Sequence, residues 1–366
     1  MDGERLAATF EAVEPFTVGL EEEVMLLDPE TLELADRAPE LLGRLDRSPS
    51  PFKLELPASQ LELVTPPRRS APEAIADLAA ARRELCAASG DLARPAPAAA
   101  EGRLNPGPRY ERAADEYGWA ARRQLVCALQ IHVAVGGAAR TLAVYNALRE
   151  ELPALAALAA NAPFYAGRDT GLASVRPAIC RLLPRQGIPP AIESWDQLAE
   201  DWDWGAASGA VPEPGFWWWE LRPHPAFGTL ELRVPDAQTT LADASAVASV
   251  AHSLVVELAE RHDGGERLSA WPTWRIDENR WSACRHGVDG SLADLDSGEP
   301  RPTCERLEGL LDRLAPVAER IGAAQGLRGA RRMARRNGAL RQREVAAERG
   351  PRGLAGWLAD RYADGL

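Results

Sequence analysis

Apolar and polar residues alternate with a period of two in four short stretches of this chain, and the polar positions carry unusual chemistry. The stretches are Thr17 to Glu23, Leu61 to Val64, Leu129 to Val135 and Leu230 to Val234. In an extended strand, residues two apart share a face. Glu21 therefore lies with Glu23, Gln130 with His132, and Glu231 with Arg233, each backed by a face of Leu, Ile and Val. Glu22 points the other way, with Leu20 and Val24, and reads as a structural group paired with a buried arginine.

The same reading extends along the chain. Residues 15–27 predict a strand that turns at Asp28-Pro29-Glu30 into a second strand near Leu32 to Leu34, and residues 53–65 are extended up to Pro66-Pro67. Ile75, Leu78, Ala79, Arg82 and Leu85 fall at helical spacing from Pro72 to about Ala93, with Ser70 as the cap. Arg94 to Arg109, rich in Pro, Ala and Gly, predicts no regular structure. A strand over 125–135 precedes a helix from about Ala139 to Ala160, divided at Pro153. A long loop over 161–190, an extended region over 216–234 and a strongly apolar helix over 240–262 follow. The remainder, from about Leu307 to Tyr362, is helical with a break at Gly350-Pro351. Strands and helices interleave without βαβ periodicity or a glycine fingerprint, which predicts an α+β fold with a largely antiparallel sheet. No repeat or linker divides the chain, so one domain over 1–366 is expected, with its core at 15–343 and a helical part at 301–366.

Composition narrows the classes. A chain of 366 residues that is 46% hydrophobic and 26% charged is an ordinary globular protein, and no apolar run reads as long enough to cross a bilayer. Met1 to Arg5 is acidic and lacks the apolar core of a signal peptide. Five scattered cysteines without a CxxC pair fit a reducing cytoplasm and disfavour a disulfide framework or a thiolate zinc site. A net charge of -12 speaks against nucleic-acid binding. The basic run from Arg328 to Arg343 has helical spacing and no interleaved aromatics, so it reads as a solvated face. Lys53 is the only lysine and lies between Phe52 and Leu54, so a phosphate-binding P-loop is excluded. Any nucleotide must then be held by metal ions and arginines.

Two unpaired carboxylates about 4 Å apart repel by roughly 4 kcal/mol at an effective dielectric near 20. Divalent cations remove that cost, and a carboxylate-rich set with one imidazole favours magnesium or manganese over zinc. The plainer alternatives are edge strands with a wet face and, for His132, a satisfied core histidine. A cup holding two or more magnesium ions suits phosphoryl transfer from ATP. ATP would activate a carboxylate as an acyl phosphate, which an amine attacks to give an amide, ADP and phosphate.

Gly19-Leu20-Glu21-Glu22-Glu23, Gln60 to Pro66, Asn161 to Phe164 with Gly167 to Gly171, and Thr229-Leu230-Glu231-Leu232-Arg233 together resemble the second glutamate-cysteine ligase family. Its bacterial members are often described as carboxylate-amine ligases. The resemblance runs from about Phe16 to Arg343. It implies a glutamine-synthetase-like fold, a curved and largely antiparallel sheet with flanking helices that forms a funnel with metals on its floor. One magnesium site would use Glu23, Glu55 and Glu62, and the other Glu21, His132 and Glu231. Glu55 is seven residues from Glu62, so a bulge, twist or neighbouring strand must bring the two together. Arg233 would lean over the transferred phosphoryl group, the alternative being a salt bridge to Glu231.

Many relatives carry a second histidine where Gln130 stands, so that position is read as orienting substrate. Arg168 and Arg176 flank the Asp169-Thr170-Gly171 turn and have the fork suited to substrate carboxylates, unless they brace the loop. Trp217 to Trp219 read as packing, and Arg222 matches a Trp-Trp-Asp-x-Arg-Pro pattern that marks it for phosphate or substrate contact. The expected activity is ATP-dependent amide formation on the γ-carboxylate of glutamate, or a similar acid, with a cysteine-like amino acid or an amine. Small-molecule substrates are expected, no nucleic-acid or membrane partner is, and a homo-oligomer is compatible with the sequence. The family's Gly-Thr-His-Pro-like segment has no match in Arg94 to Pro106, so a changed acid or amine is expected. Two other readings stay open, a noncatalytic binding protein that retains the fold and a metal-dependent amide hydrolase. The lack of HExxH and the scarcity of histidine speak against the hydrolase.

Overall fold

Seven strands form one sheet in which every pairing is antiparallel. The structure, a computed structural model, describes residues 2–98, 102–211 and 213–364. Its sheet strands are β1 (Val18–Leu27), β2 (Phe52–Leu54), β3 (Gln60–Val64), β4 (Arg94–Ala96), β5 (Leu129–Ala134), β6 (Leu221–His224) and β7 (Thr229–Leu232). They run in the order β2-β3-β1-β5-β7-β6, with β4 pairing the far end of β1.

The period-two pattern decides which face is buried. Val18, Leu20, Val24 and Leu26 of β1, Leu61 and Leu63 of β3, and Ile131 and Val133 of β5 are sealed into the main core. Against this face pack α1 (Ala71–Ser89) and α2 (Leu241–Asp263). Helix α1 begins where expected, with the Ser70 side chain accepting from the Glu73 amide at 3.4 Å. Helix α2 corrects one expectation, since its length and apolarity are those of a membrane span. Here it is a core helix, with Val247, Val250, Leu254 and Leu258 shielded from solvent. Glu22, on the same side of the sheet, is fully buried against Arg82 of α1, as the alternation requires.

Local chemistry explains most departures from the sequence reading. The hairpin after Asp28 shrinks to a single bridge, Leu27 to Leu34, because Leu32 takes a left-handed φ of 62° that no continuing strand allows. The extended region 53–65 is two antiparallel strands joined through a turn, and this resolves how Glu55 and Glu62 approach one another. The stretch read as irregular, Arg94 to Arg109, contains β4 and the start of a helix at Pro108–Tyr117, while its residues 99–101 lie outside the described set. The expected division at Pro153 is a 3-10 turn at Arg149–Glu151 between helices Ala138–Leu148 and Leu152–Ala159. Gly228 closes the β6–β7 hairpin at φ 65°, where a side chain would meet Val13 and the Thr9 carbonyl.

Candidate active site

Strand register assembles the polar residues on the face away from the helices. Lys53 lies opposite Glu62, Glu62 opposite Glu23, Glu21 opposite Gln130, His132 opposite Glu231, and Glu231 opposite Arg222. Directly opposed residues share a face, so four strands of alternating sequence become one polar floor running across β2, β3, β1, β5, β7 and β6.

Gln130 is at its centre. Its Nε2 donates to Glu23 at 3.2 Å and to Glu62 at 3.3 Å, and its Oε1 accepts from Arg233. The amide thus spaces two carboxylates and one guanidinium. Glu23 also accepts from the Ala128 amide at 2.7 Å, and Glu21 and Glu62 are near enough to shift one another's ionisation. His132 Nε2 stands 3.8 Å from Glu21, while its Nδ1 meets the Thr229 hydroxyl at 3.0 Å. That Nε2 is buried without a hydrogen-bond partner. Lys53 reaches in from the sheet edge to 3.3 Å from Glu62 and 3.6 Å from Glu21.

The arginines divide into different roles. Arg222 holds Glu231 through two bonds, at 2.6 and 3.2 Å, and anchors the carbonyls of Gly215 and Trp217. It lines neither cavity described below, and the contacts it makes here are with Glu231 and these carbonyls. Arg233 pairs with Glu231 from the other side and faces a cavity. Arg176 is buried, donates to the Arg233 carbonyl at 2.7 Å and lines the same cavity. Arg168 sits exposed on a two-residue strand and lines neither cavity. Neighbouring Asp169 is paired with Arg343 of the basic run, which is largely neutralised on the surface by partners such as Asp312, Glu308 and Glu344.

Burial and crowding set the charge states. Glu55 is pushed up to about 7, by burial first and then by the Glu23 charge. Glu62 is raised well above the carboxylate range by burial and by Glu55 and Glu21, and Glu23 is raised by burial. Glu21 goes the other way, because the Lys53 ammonium and the neighbouring Glu62 carboxyl outweigh its burial. Burial lowers His132, keeping the imidazole neutral and its nitrogen available as a ligand. Glu231 is held well below the usual range despite its burial, because Arg222 and Arg233 flank it.

Hard divalent cations fit this donor set. Crowded carboxyls that must keep protons, and an orphaned neutral imidazole nitrogen facing a carboxylate, are what such an ion relieves. The two three-residue sets implied by resemblance are seen as a row of pairs: Glu21 with Glu62 and His132, Glu23 with Glu62 through Gln130, and Glu231 between two guanidiniums. Among the described residues no three potential ligands converge on one point. Glu55, on the β2–β3 turn, lies at the rim.

Two cavities flank the floor. One, of about 150 Å³, is lined by Glu23, Glu55, Arg176 and Arg233 and walled by Tyr110, Tyr117, Phe216 and Trp218. The other, of about 690 Å³, is lined by Glu21, His132, Thr65, Arg68 and Phe227. Sequence reasoning missed the tyrosines, whose helix at Pro108–Tyr117 falls mostly in a segment it assigned to no element, and treated Trp218 as packing. It also missed Asn105, whose Nδ2 donates to the carbonyls of Glu55 at 2.6 Å and Pro57 at 2.8 Å. The segment that departs from the family pattern therefore braces the loop carrying Glu55.

A curved antiparallel sheet with helices on one face and acidic, imidazole and guanidinium groups on the other defines the class of glutamate-cysteine ligase folds. The chain belongs to Glutamate-cysteine ligase family 2, whose model matches residues 17–355. It is 37% identical to the "Putative glutamate--cysteine ligase 2-3" of Rubrobacter xylanophilus, over 97% of this chain and 99% of that protein. It is 35% identical to a like-named protein, 2-1, of Frankia alni, over 85% of each. Among solved structures, it resembles the Francisella tularensis glutamate-cysteine ligase in complex with AMP, with a TM-score of 0.72, 12% identity, and coverage of 95% of this chain and 89% of that one. A bifunctional glutathione synthetase from Pasteurella multocida superposes with a TM-score of 0.67 and 16% identity, over 98% of this chain and 53% of that one. At these identities the two structures show the shared fold.

Proposed function

We propose that this protein is an ATP-dependent ligase that joins the γ-carboxylate of glutamate, or of a similar acid, to a cysteine-like amino acid or an amine through an acyl phosphate. The observation that carries the reading is the row from Lys53 to Arg222, in which Glu62, Glu23, Glu21, His132 and Glu231 follow one another across the sheet, with Glu23, Glu55 and Arg233 opening into one cavity and Glu21 and His132 into the other. Family membership and the AMP-bound relative of the same fold support nucleotide use.

Bound magnesium, or manganese, would neutralise phosphate charge during transfer, held by Glu21, Glu62 and His132 with Glu23, Glu55 and Glu231 as further ligands. Arg233 presents a fixed charge at the cavity edge, where it stabilises the phosphoryl oxygens as charge moves onto the leaving ADP. Glu231 and Gln130 hold that guanidinium in place. Arg176 and Arg233 offer forks to the acid in the smaller cavity, and the walls of Tyr110, Tyr117, Phe216 and Trp218 exclude water from the acyl phosphate. The larger cavity, with Arg68 and Phe227, suits the nucleotide. In the first step a carboxylate oxygen bonds to the terminal phosphorus as ADP leaves. In the second the amine nitrogen bonds to the acyl carbon, phosphate departs and one proton is released.

The test is phosphate release measured with ATP, magnesium, glutamate and a panel of amino acids and small amines. Release should need all four components, and Glu21→Gln and Glu62→Gln should each lower it by roughly a hundredfold or more, the size expected when transition-state charge loses its counter-ion. Normal turnover in both variants would falsify the assignment.

A further inference from the structure

We propose that Lys53 is a tethered counter-ion of the floor that competes with a divalent cation for Glu21 and Glu62. The inference rests on the metal-binding reading given above. Lys53 is the only lysine in a chain that otherwise uses arginine for its positive charge. It projects from edge strand β2 directly opposite Glu62, and its ammonium stands 3.3 Å from Glu62 and 3.6 Å from Glu21. One ammonium thus spans both carboxyls at once.

The neighbouring positive charges are committed elsewhere. Arg222 and Arg233 hold Glu231 from two sides, and Arg176 holds the carbonyls of Arg233 and Val234. His132, the other group beside Glu21, is kept neutral by burial. Lys53 thus supplies the fixed positive charge at the Glu21–Glu62 pair.

The choice of lysine over arginine matters. A guanidinium locks onto a carboxylate as a planar fork, whereas an ammonium is a point charge on a flexible stem that is readily withdrawn. The Lys53 side chain is 51% exposed, so water already covers one side of it, and the charge on the buried Glu21 and Glu62 that its withdrawal uncovers is taken up by the incoming ion. An ion ligated by Glu21 and Glu62 would share their oxygens with the ammonium, and two positive charges at that separation repel. The ion and the ammonium therefore exclude one another. Lys53 holds the carboxylates together in the ion-free chain and turns outward as the ion enters.

Manganese titration of the full chain, read by the loss of the free-ion electron paramagnetic resonance signal in the absence of nucleotide, tests this. Lys53→Met should tighten Mn²⁺ binding by roughly thirtyfold, the effect of one unit charge on a divalent ion about 4 Å away at the dielectric of water. Lys53→Arg, which keeps the charge, should not tighten it. Unchanged or weaker binding in Lys53→Met overturns the inference. Glu21→Gln separates it from the reading on which it rests. If Glu21→Gln weakens binding while Lys53→Met matches the wild type, the counter-ion role alone fails. If Glu21→Gln binds as the wild type does, the ion is not on these carboxylates and both fail.

Discussion

Carboxylates on one floor are held in opposite states by their immediate neighbours. Glu231, between Arg222 and Arg233, stays ionised well below the ordinary range, whereas Glu55, buried and beside Glu23, is pushed up to about 7. The sign of the second effect fixes a prediction. Between pH 4.5 and 7 the unfolded chain gives up the Glu55 proton while the folded chain keeps it, so stability falls as pH rises through that window and levels off above about 7. Urea unfolding at pH 5 and pH 8 in EDTA should show this fall. In Glu55→Gln the fall should be smaller by on the order of 2 kcal/mol, and Mn²⁺ should restore the wild type more at pH 8 than at pH 5. Equal pH dependence in the two proteins would remove Glu55 from the site's electrostatics.

Most of the floor was legible because strand alternation is a two-state signal. Given that Leu20 and Val24 of β1 are inside, Glu21 and Glu23 must be outside and Glu22 inside, and the structure bears this out. The same alternation requires a partner for Glu22. Arg82 Nε donates to it at 2.8 Å, Arg82 Nη2 donates to the Gln238 carbonyl at 2.9 Å, and the Tyr362 hydroxyl donates to Glu22 at 3.0 Å. One carboxylate therefore ties β1 to α1 and to the C-terminal helix. Glu22→Leu should destabilise the protein by about 3–5 kcal/mol, since it strands a buried guanidinium, and Glu22→Leu with Arg82→Met should recover most of that. Chemical denaturation of the two variants measures it, and an additive double mutant would mean the pair is not coupled. What alternation could not give was the segment after β4. Its helix at Pro108–Tyr117 has no buried residue and so no core stripe to read, yet Tyr110 and Tyr117 face the smaller cavity. Nor does sequence proximity to a Gly-rich turn say which way a surface strand points, and Arg168 stands exposed, away from both cavities.

At the scale of the whole molecule, the chain divides its labour between two faces of one sheet. The helix-covered face supplies stability through Leu, Val and Ile, and this permits the other face to carry groups that repel one another. The motif set was enough to recognise the family and its fold, because the polar residues lie in four separate stretches whose order is itself specific. It did not supply the register between strands, which makes Gln130 a spacer among carboxylates and places Lys53 over Glu62. Two cavities meeting at one charged floor match a reaction in which a phosphoryl group passes from a nucleotide on one side to an acid on the other. Glutamate labelled with ¹⁸O in its γ-carboxylate, turned over with ATP, magnesium and the best amine, tests that transfer most directly by mass spectrometry of the released phosphate. One labelled oxygen per phosphate is the predicted result. Phosphate without label, beside an amide product that has formed, would contradict the account.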